Sequence, residues 1–153
     1  MTANSRMPGG SVVPVQPPAN ADVNEWVDWY LQIFLPGWIR RAHDPDSIGF
    51  FDELDQHGQP AKTERRSVLA QARLLFTFSH LALISGNPAF GAAARIARNA
   101  LPAFRKSPGL YCRARASHGG ATGLAEDDFA TSYDQSFVIL RLSTWGRLQQ
   151  DED

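Results

Sequence analysis

Five residues between positions 66 and 80 fall on one side of a helical repeat: Arg66, Ala70, Arg73, Thr77 and His80. Spacings of three and four stack side chains on one face of an α-helix. A guanidinium, a hydroxyl and an imidazole aligned in this way have two uses. They can meet solvent. They can also line a polar cavity, where the fixed fork of arginine donors holds the oxygens of a ligand. Tyr133 poses the same choice, between a core aromatic with a satisfied hydroxyl and a hydroxyl turned into that cavity.

Other chemistry-bearing residues carry less. His43, His57 and His118 sit in connections and share no metal-ligand spacing, so no metal site is expected. "SHGGATG" is glycine-rich but does not match a phosphate-binding loop. With neither pattern present, no cofactor is expected. Cys112 has no candidate base near it in sequence and reads as a structural thiol. Arg95 to Arg115 holds six basic residues and no acidic one. The acidic stretch Asp44 to Asp55 balances it, so an internal charge complement is expected in preference to nucleic acid.

These side chains need elements to position them. Residues 1–21 are rich in proline and glycine and lack an amphipathic period, which reads as a disordered arm. From Asp22, Trp26, Trp29, Tyr30, Ile33 and Phe34 follow helical spacings, and Pro36 and Gly37 should break or kink that helix. "GFFDELDQHG" suggests a short hairpin or extended piece closed at Gly58. A second helix is expected from about Lys62 to Ser85. "SGNP" ends it and starts a third, with Gly86 as C-terminal cap, Asn87 as N-cap and Pro88 at the first helical position. Along the third helix, Phe90, Ala93, Ala94, Ala97, Leu101 and Phe104 share a face whose alanines permit close approach. A short strand is expected around Leu110 to Arg113. The fourth helix places Tyr133, Phe137, Leu140 and Thr144 on one stripe and Val138, Leu142 and Trp145 on another side. Residues 149–153 read as a solvated acidic tail.

The sum is an all-α chain of about four helices, long enough for one domain. Helices two and four are apolar on more than one side, which calls for neighbours on more than one side. Four helices cannot supply these for one another, so the chain reads as part of a larger helical array. A net charge of -1 gives no general pull toward nucleic acid or membrane surfaces. No apolar run is read as a membrane span, and the N-terminus has no continuous apolar core of a secretory signal. One cysteine suits a reducing compartment, and a cytoplasmic location is expected.

The order of motifs is more specific than any one of them. "GFFDELDQHGQP", then "AQARLLFTFSHLALISGNP", then "GLY", then "YDQSFVILRLSTW" resembles the N-terminal part of the N-acylglucosamine 2-epimerase family, with its cellobiose 2-epimerases and mannose-type aldose–ketose isomerases. The resemblance covers about residues 22–148. It implies an (α/α)6 barrel in which six helical hairpins close around a sugar pocket, here present as an incomplete toroid. It implies that Arg73 of "QAR" and Tyr133 of "YDQSF" contact a small sugar substrate. It implies proton transfer beside a sugar carbonyl, through an enediol or enolate, with histidines as base and acid. None of His43, His57, His80 or His118 falls at a matching motif, so no catalytic residue is carried over. Family members are more than twice this length. The expectation is a truncated fragment, inactive alone, whose exposed apolar seam self-associates or takes a complementing chain. The other reading is a non-catalytic helical interaction module.

Overall fold

The computed structural model describes residues 16–61 and 63–151, Asp151 by its backbone alone. Most of the expected N-terminal arm and the last two acidic residues lie outside the described residues.

The chain enters at Asp22, whose carboxylate accepts from Asn24 and Glu25 N–H while Glu25 reaches back to Asp22 N–H. This reciprocal capping box starts α1 (Val23–Trp29). Trp26, Tyr30 and Phe34 then form a stacked column with centroid separations of 5.3 Å at each step. Pro36 does not break the helix. Instead Tyr30–Phe34 widens into one π turn, and Leu35 N–H donates to the Tyr30 carbonyl five residues back. Pro36 has no N–H to give, and its ring would crowd a carbonyl four residues back. The wide turn absorbs both problems, and α2 (Leu35–Ala42) continues the helical path.

The second expected helix starts later than the sequence suggested. Arg65–Ser67 forms β1, paired antiparallel with β4 (Ala114–Ala116). Ser67 then caps α3 (Val68–Ser85) by accepting from Ala70 N–H at 3.2 Å. Arg66 therefore leaves the polar helical stripe. It is 2% exposed, and its Nη2 lies 2.9 Å from Asp44 Oδ2. Its strand partner, Arg115, lies 49 positions away and overrides the local helical period.

Gly86, with φ of +65°, ends α3, and Asn87 caps α4 (Pro88–Ala100) by accepting from Ala89 N–H. A 3-10 turn, Leu101–Phe104, completes that arm. All six residues expected on its inner face are buried, four of them Phe90, Ala94, Ala97 and Phe104 at 0% exposure. A two-stranded hairpin follows, β2 (Arg105–Ser107) with β3 (Leu110–Tyr111). After β4, a second 3-10 turn at Ala125–Asp128 leads to α5 (Ser132–Asp151). The fold is thus mostly helical with two small antiparallel ladders.

α3 lies between α4 and α5. The turn at Gly86 makes α3 and α4 antiparallel. α5 runs in the same direction as α3. Arg73 meets Tyr133 and Phe137, Phe76 meets Arg141, and Leu148 sits beside Ala82 and Leu83, so the two numberings rise together. This placement explains the two-sided apolar character of α3, whose Leu75, Phe78, Ala72 and Ala82 are buried in one core with Phe50, Phe90 and Val138. It also explains a property the sequence reading did not credit. α3 has the length and hydropathy, 1.4 over 18 residues, to cross a membrane. Here its apolar sides pack on α4 and α5.

Candidate functional site

The remaining polar stripe of α3 (Arg73, Thr77 and His80) is exposed. It borders the exposed edge of α5, where Tyr133 is 56% exposed. Arg73 Nη2 lies 3.4 Å from Tyr133 Oη, at the long end of hydrogen-bond distance. The two residues singled out by the sequence are 60 positions apart and meet across neighbouring parallel helices.

Their positions follow from two glutamines in the same motifs. Gln71, two residues before Arg73, accepts from Phe50 N–H at 2.9 Å and donates to the Phe50 carbonyl at 2.8 Å. Gln135, two residues after Tyr133, accepts from Tyr111 N–H at 2.9 Å and donates to the Tyr111 carbonyl at 2.8 Å. Each amide serves as a strand partner for the backbone of one residue, Phe50 in a loop and Tyr111 at the end of β3. Two residues further along a helix is 200° around it, so a glutamine fixed to a loop behind the helix sends its neighbour to the open side. Gly49 permits the first clasp. Its φ is +71°, and a Cβ there would collide with Gln71 Oε1.

The loops are held by charge. Arg65 grips Asp127 with Nε and Nη2, the latter at 2.7 Å, and Thr122 donates to the same carboxylate. These bonds hold the Asp127 carboxyl below the usual range. Burial pushes Asp52 the other way, although both its oxygens accept from Ser67 N–H. The basic stretch Arg95 to Arg115 has internal partners, as expected, but not the expected ones. Lys106 and Arg115 share Asp128, and Arg113 lies 3.9 Å from Asp134. The Asp44 to Asp55 stretch serves Arg66 and the start of α3 instead.

A third polar residue at the α3–α5 face was not singled out by the sequence. Arg141 lies two helical turns after Tyr133 and is 8% exposed. Its Cζ stands 4.1 Å over the Phe76 ring and 5.0 Å from that of Phe137, while Arg73 Cζ stands 5.2 Å from the same Phe137 ring. His80 stacks on Phe76 with centroids 5.8 Å apart. The spacing 133, 137, 141 on one helix was the available signal. His43, His57 and His118 lie away from this face, on the loops. Among the described residues, no group of three His, Cys, Asp or Glu side chains could hold a metal ion.

What this face can do chemically is hold oxygens. It presents two guanidinium groups, a phenol and an imidazole on an aromatic floor, with no carboxylate paired to any of them among the described residues.

Comparison with known proteins places the chain. Residues 49–152 match the family model described as N-acylglucosamine 2-epimerase, a span that contains Arg73, Tyr133 and Arg141. The solved structure of cellobiose 2-epimerase from Spirochaeta thermophila DSM 6192 is similar in fold, with a TM-score of 0.66 and 22% identity. A sugar epimerase from a ruminal bacterium is similar with a TM-score of 0.69 and 19% identity. Each match covers 82% of this chain, but 30% and 32% of the other chain respectively. The chain therefore spans about a third of the length of the solved proteins it matches.

Proposed function

Because this chain belongs to the N-acylglucosamine 2-epimerase family, we propose that it forms the N-terminal portion of an (α/α)6 barrel whose pocket carries out 2-epimerisation or aldose–ketose isomerisation of a sugar. The observation that carries this reading is the meeting of Arg73 and Tyr133 on adjacent parallel helices, both turned to the open face. In a ring of helical hairpins, α3 and α5 are successive inner helices and α4 is an outer one, so that face borders the lumen.

In such a reaction a base removes the proton from C2, and negative charge moves onto the neighbouring carbonyl oxygen. The Arg73 fork and the Tyr133 hydroxyl bind that oxygen or its neighbours. Donors already in place stabilise the developing charge without reorganising. Return of the proton to the opposite face of C2 gives the epimer, and its delivery to C1 gives the isomer. No residue of this chain is assigned as the base. His80 is exposed and stacked on Phe76 rather than directed at Arg73 and Tyr133. We therefore propose that residues 1–153 alone bind sugar weakly and do not turn it over. A cytoplasmic setting belongs to the same reading and is supported by the single cysteine, Cys112, a buried free thiol.

The test joins saturation-transfer NMR to solvent deuterium exchange at C2, with N-acetylmannosamine, mannose and cellobiose. Saturation transfer lost in Arg73→Ala, with no C2 exchange, is the expected result. Exchange by the purified chain would overturn the inactivity, and sugar contact that survives Arg73→Ala would overturn the pocket.

One observation favours a second reading. Ile84 on α3 and Ile139 and Leu140 on α5 are 65%, 69% and 52% exposed. Exposed apolar residues on these two helices suit a helical module that self-associates or takes a complementing chain. Sedimentation velocity separates the cases, since a monomer at all concentrations removes self-association.

A further inference from the structure

Arg141 poses a problem that a neutral sugar does not solve. Arg141 is 8% exposed, and its Nε is buried without a hydrogen-bond partner. No carboxylate neutralises it among the described residues. Its charged neighbour is Arg73, a like charge, and burial followed by that repulsion lowers its proton affinity. The rings of Phe76 and Phe137 offset part of this cost through their π faces. They leave the buried Nε–H without an acceptor. A buried cation is normally matched by an anion, because the desolvation penalty is otherwise uncompensated.

The placement says where that anion would sit. Arg73 and Arg141 both approach the Phe137 ring, their Cζ atoms 5.2 and 5.0 Å from its centroid. One phosphorylated hexose can reach both. Arg73 and Tyr133 form the exposed end of the cluster and Arg141 its buried end. A neutral sugar would satisfy the first end and leave the second uncompensated.

We propose that the α3–α5 face selects a sugar bearing an anionic group, a phosphate or a carboxylate, with Arg141 receiving the anion while Arg73 and Tyr133 hold the sugar oxygens. This rests on the pocket reading given above and narrows its substrate class. Guanidinium groups suit such anions because their paired N–H donors match two oxygens at once.

The test uses the 153-residue chain and reads the arginine Nε–Hε signals by NMR, with Arg141 assigned by comparison with Arg141→Lys. Glucose, glucose 6-phosphate, glucuronate and inorganic phosphate are titrated separately at fixed ionic strength. Glucose 6-phosphate or glucuronate should shift the Arg141 signal and bind about ten-fold tighter than glucose, the equivalent of one charge-assisted contact. Whichever of the two binds better identifies the anion. Arg141→Gln should lose that preference while keeping the weak binding of glucose. Equal binding of glucose and the anionic sugars overturns the anion inference and leaves the pocket reading standing. Inorganic phosphate binding as tightly as glucose 6-phosphate overturns the sugar half of the inference. An Arg141 signal that moves with protein concentration alone assigns its partner to a carboxylate of another chain and overturns it too. Loss of saturation transfer from every neutral sugar is the separate failure of the pocket reading.

Discussion

Gln71 and Phe50 exchange two hydrogen bonds, a backbone N–H to Oε1 at 2.9 Å and Nε2 to a backbone carbonyl at 2.8 Å, and both residues are 0% exposed. The amide does for Phe50 what a strand neighbour would do. Gln71→Leu keeps the side-chain volume near native but leaves one buried donor and one buried acceptor unmatched. At about 1–3 kcal/mol for each orphaned group, the loss of stability should be roughly 2–6 kcal/mol. Gln135→Leu removes the same pair of bonds from Tyr111, a half-buried residue open to water. Its cost should be smaller. Urea unfolding of both variants checks the order, and equal losses would contradict the role given to burial.

Gly49 supplies the space for that clasp. Alanine there must hold a left-handed backbone, φ +71°, and place its Cβ against Gln71 Oε1 and 2.8 Å from Ala100 Cβ. Gly109 has a similar φ of +76° but nothing within 4 Å of its would-be Cβ. Gly109→Ala thus isolates the backbone cost, about 1–2 kcal/mol. Gly49→Ala adds overpacking of roughly 1–3 kcal/mol. The two melting temperatures, measured side by side, should differ accordingly.

The sequence carried the helices well where their causes are local. "SGNP" specifies the end of α3 and the start of α4 through a left-handed glycine, an Asn cap and a first-turn proline, and the structure has all three. It misled where the cause is remote. The helical period that runs back to Arg66 is interrupted because Arg65–Ser67 finds a strand partner in Ala114–Ala116. Nothing within residues 62–70 announces that pairing. Pro36 was legible as an irregularity, but its residue type alone does not say whether the helix breaks or widens into a π turn there. At the candidate site, Arg73 and Tyr133 came from motif position, and their contact needed the parallel placement of α3 and α5. Arg141 was hidden for a different reason. A lone arginine in a helix reads as solvent-facing, and only its enclosure by Phe76 and Phe137 sets it apart.

Arg65 and Asp127 tie β1 to the 3-10 turn before α5, and their bond makes stability depend on pH in a set direction. The Asp127 carboxyl is held below its ordinary range in the folded chain. The unfolded chain therefore takes up a proton first as the solution is acidified. The contribution of this pair is complete above the unfolded carboxylate pKa, about 3.9, and is lost as pH falls through the lower folded value. Asp127→Asn removes the charge. The stability gap between native chain and variant should be widest at neutral pH and narrower at about pH 2, well below the unfolded carboxylate value. Unfolding curves at both pH values check it, and a gap independent of pH would remove the ion pair as its cause.

Tyr133→Phe separates a binding role from a structural one. The ring of Tyr133 packs on Phe137 with centroids 4.9 Å apart, and phenylalanine preserves that contact. The hydroxyl is exposed, and Arg73 lies 3.4 Å from it, so its loss should alter stability by no more than about 0.5 kcal/mol. Arg73→Lys keeps the charge but removes the fork, and Arg73 is exposed too, so the same small change is expected. Binding should respond differently. If these atoms hold sugar oxygens, each variant should weaken saturation transfer to the sugar several-fold while the melting temperature holds. In a full-length assembly that turns over sugar, the loss should fall on kcat for Arg73→Lys, since charge on the carbonyl oxygen develops only in the transition state. A fall in stability as large as the fall in binding would place both residues in the packing of α3 on α5 and take them out of the pocket.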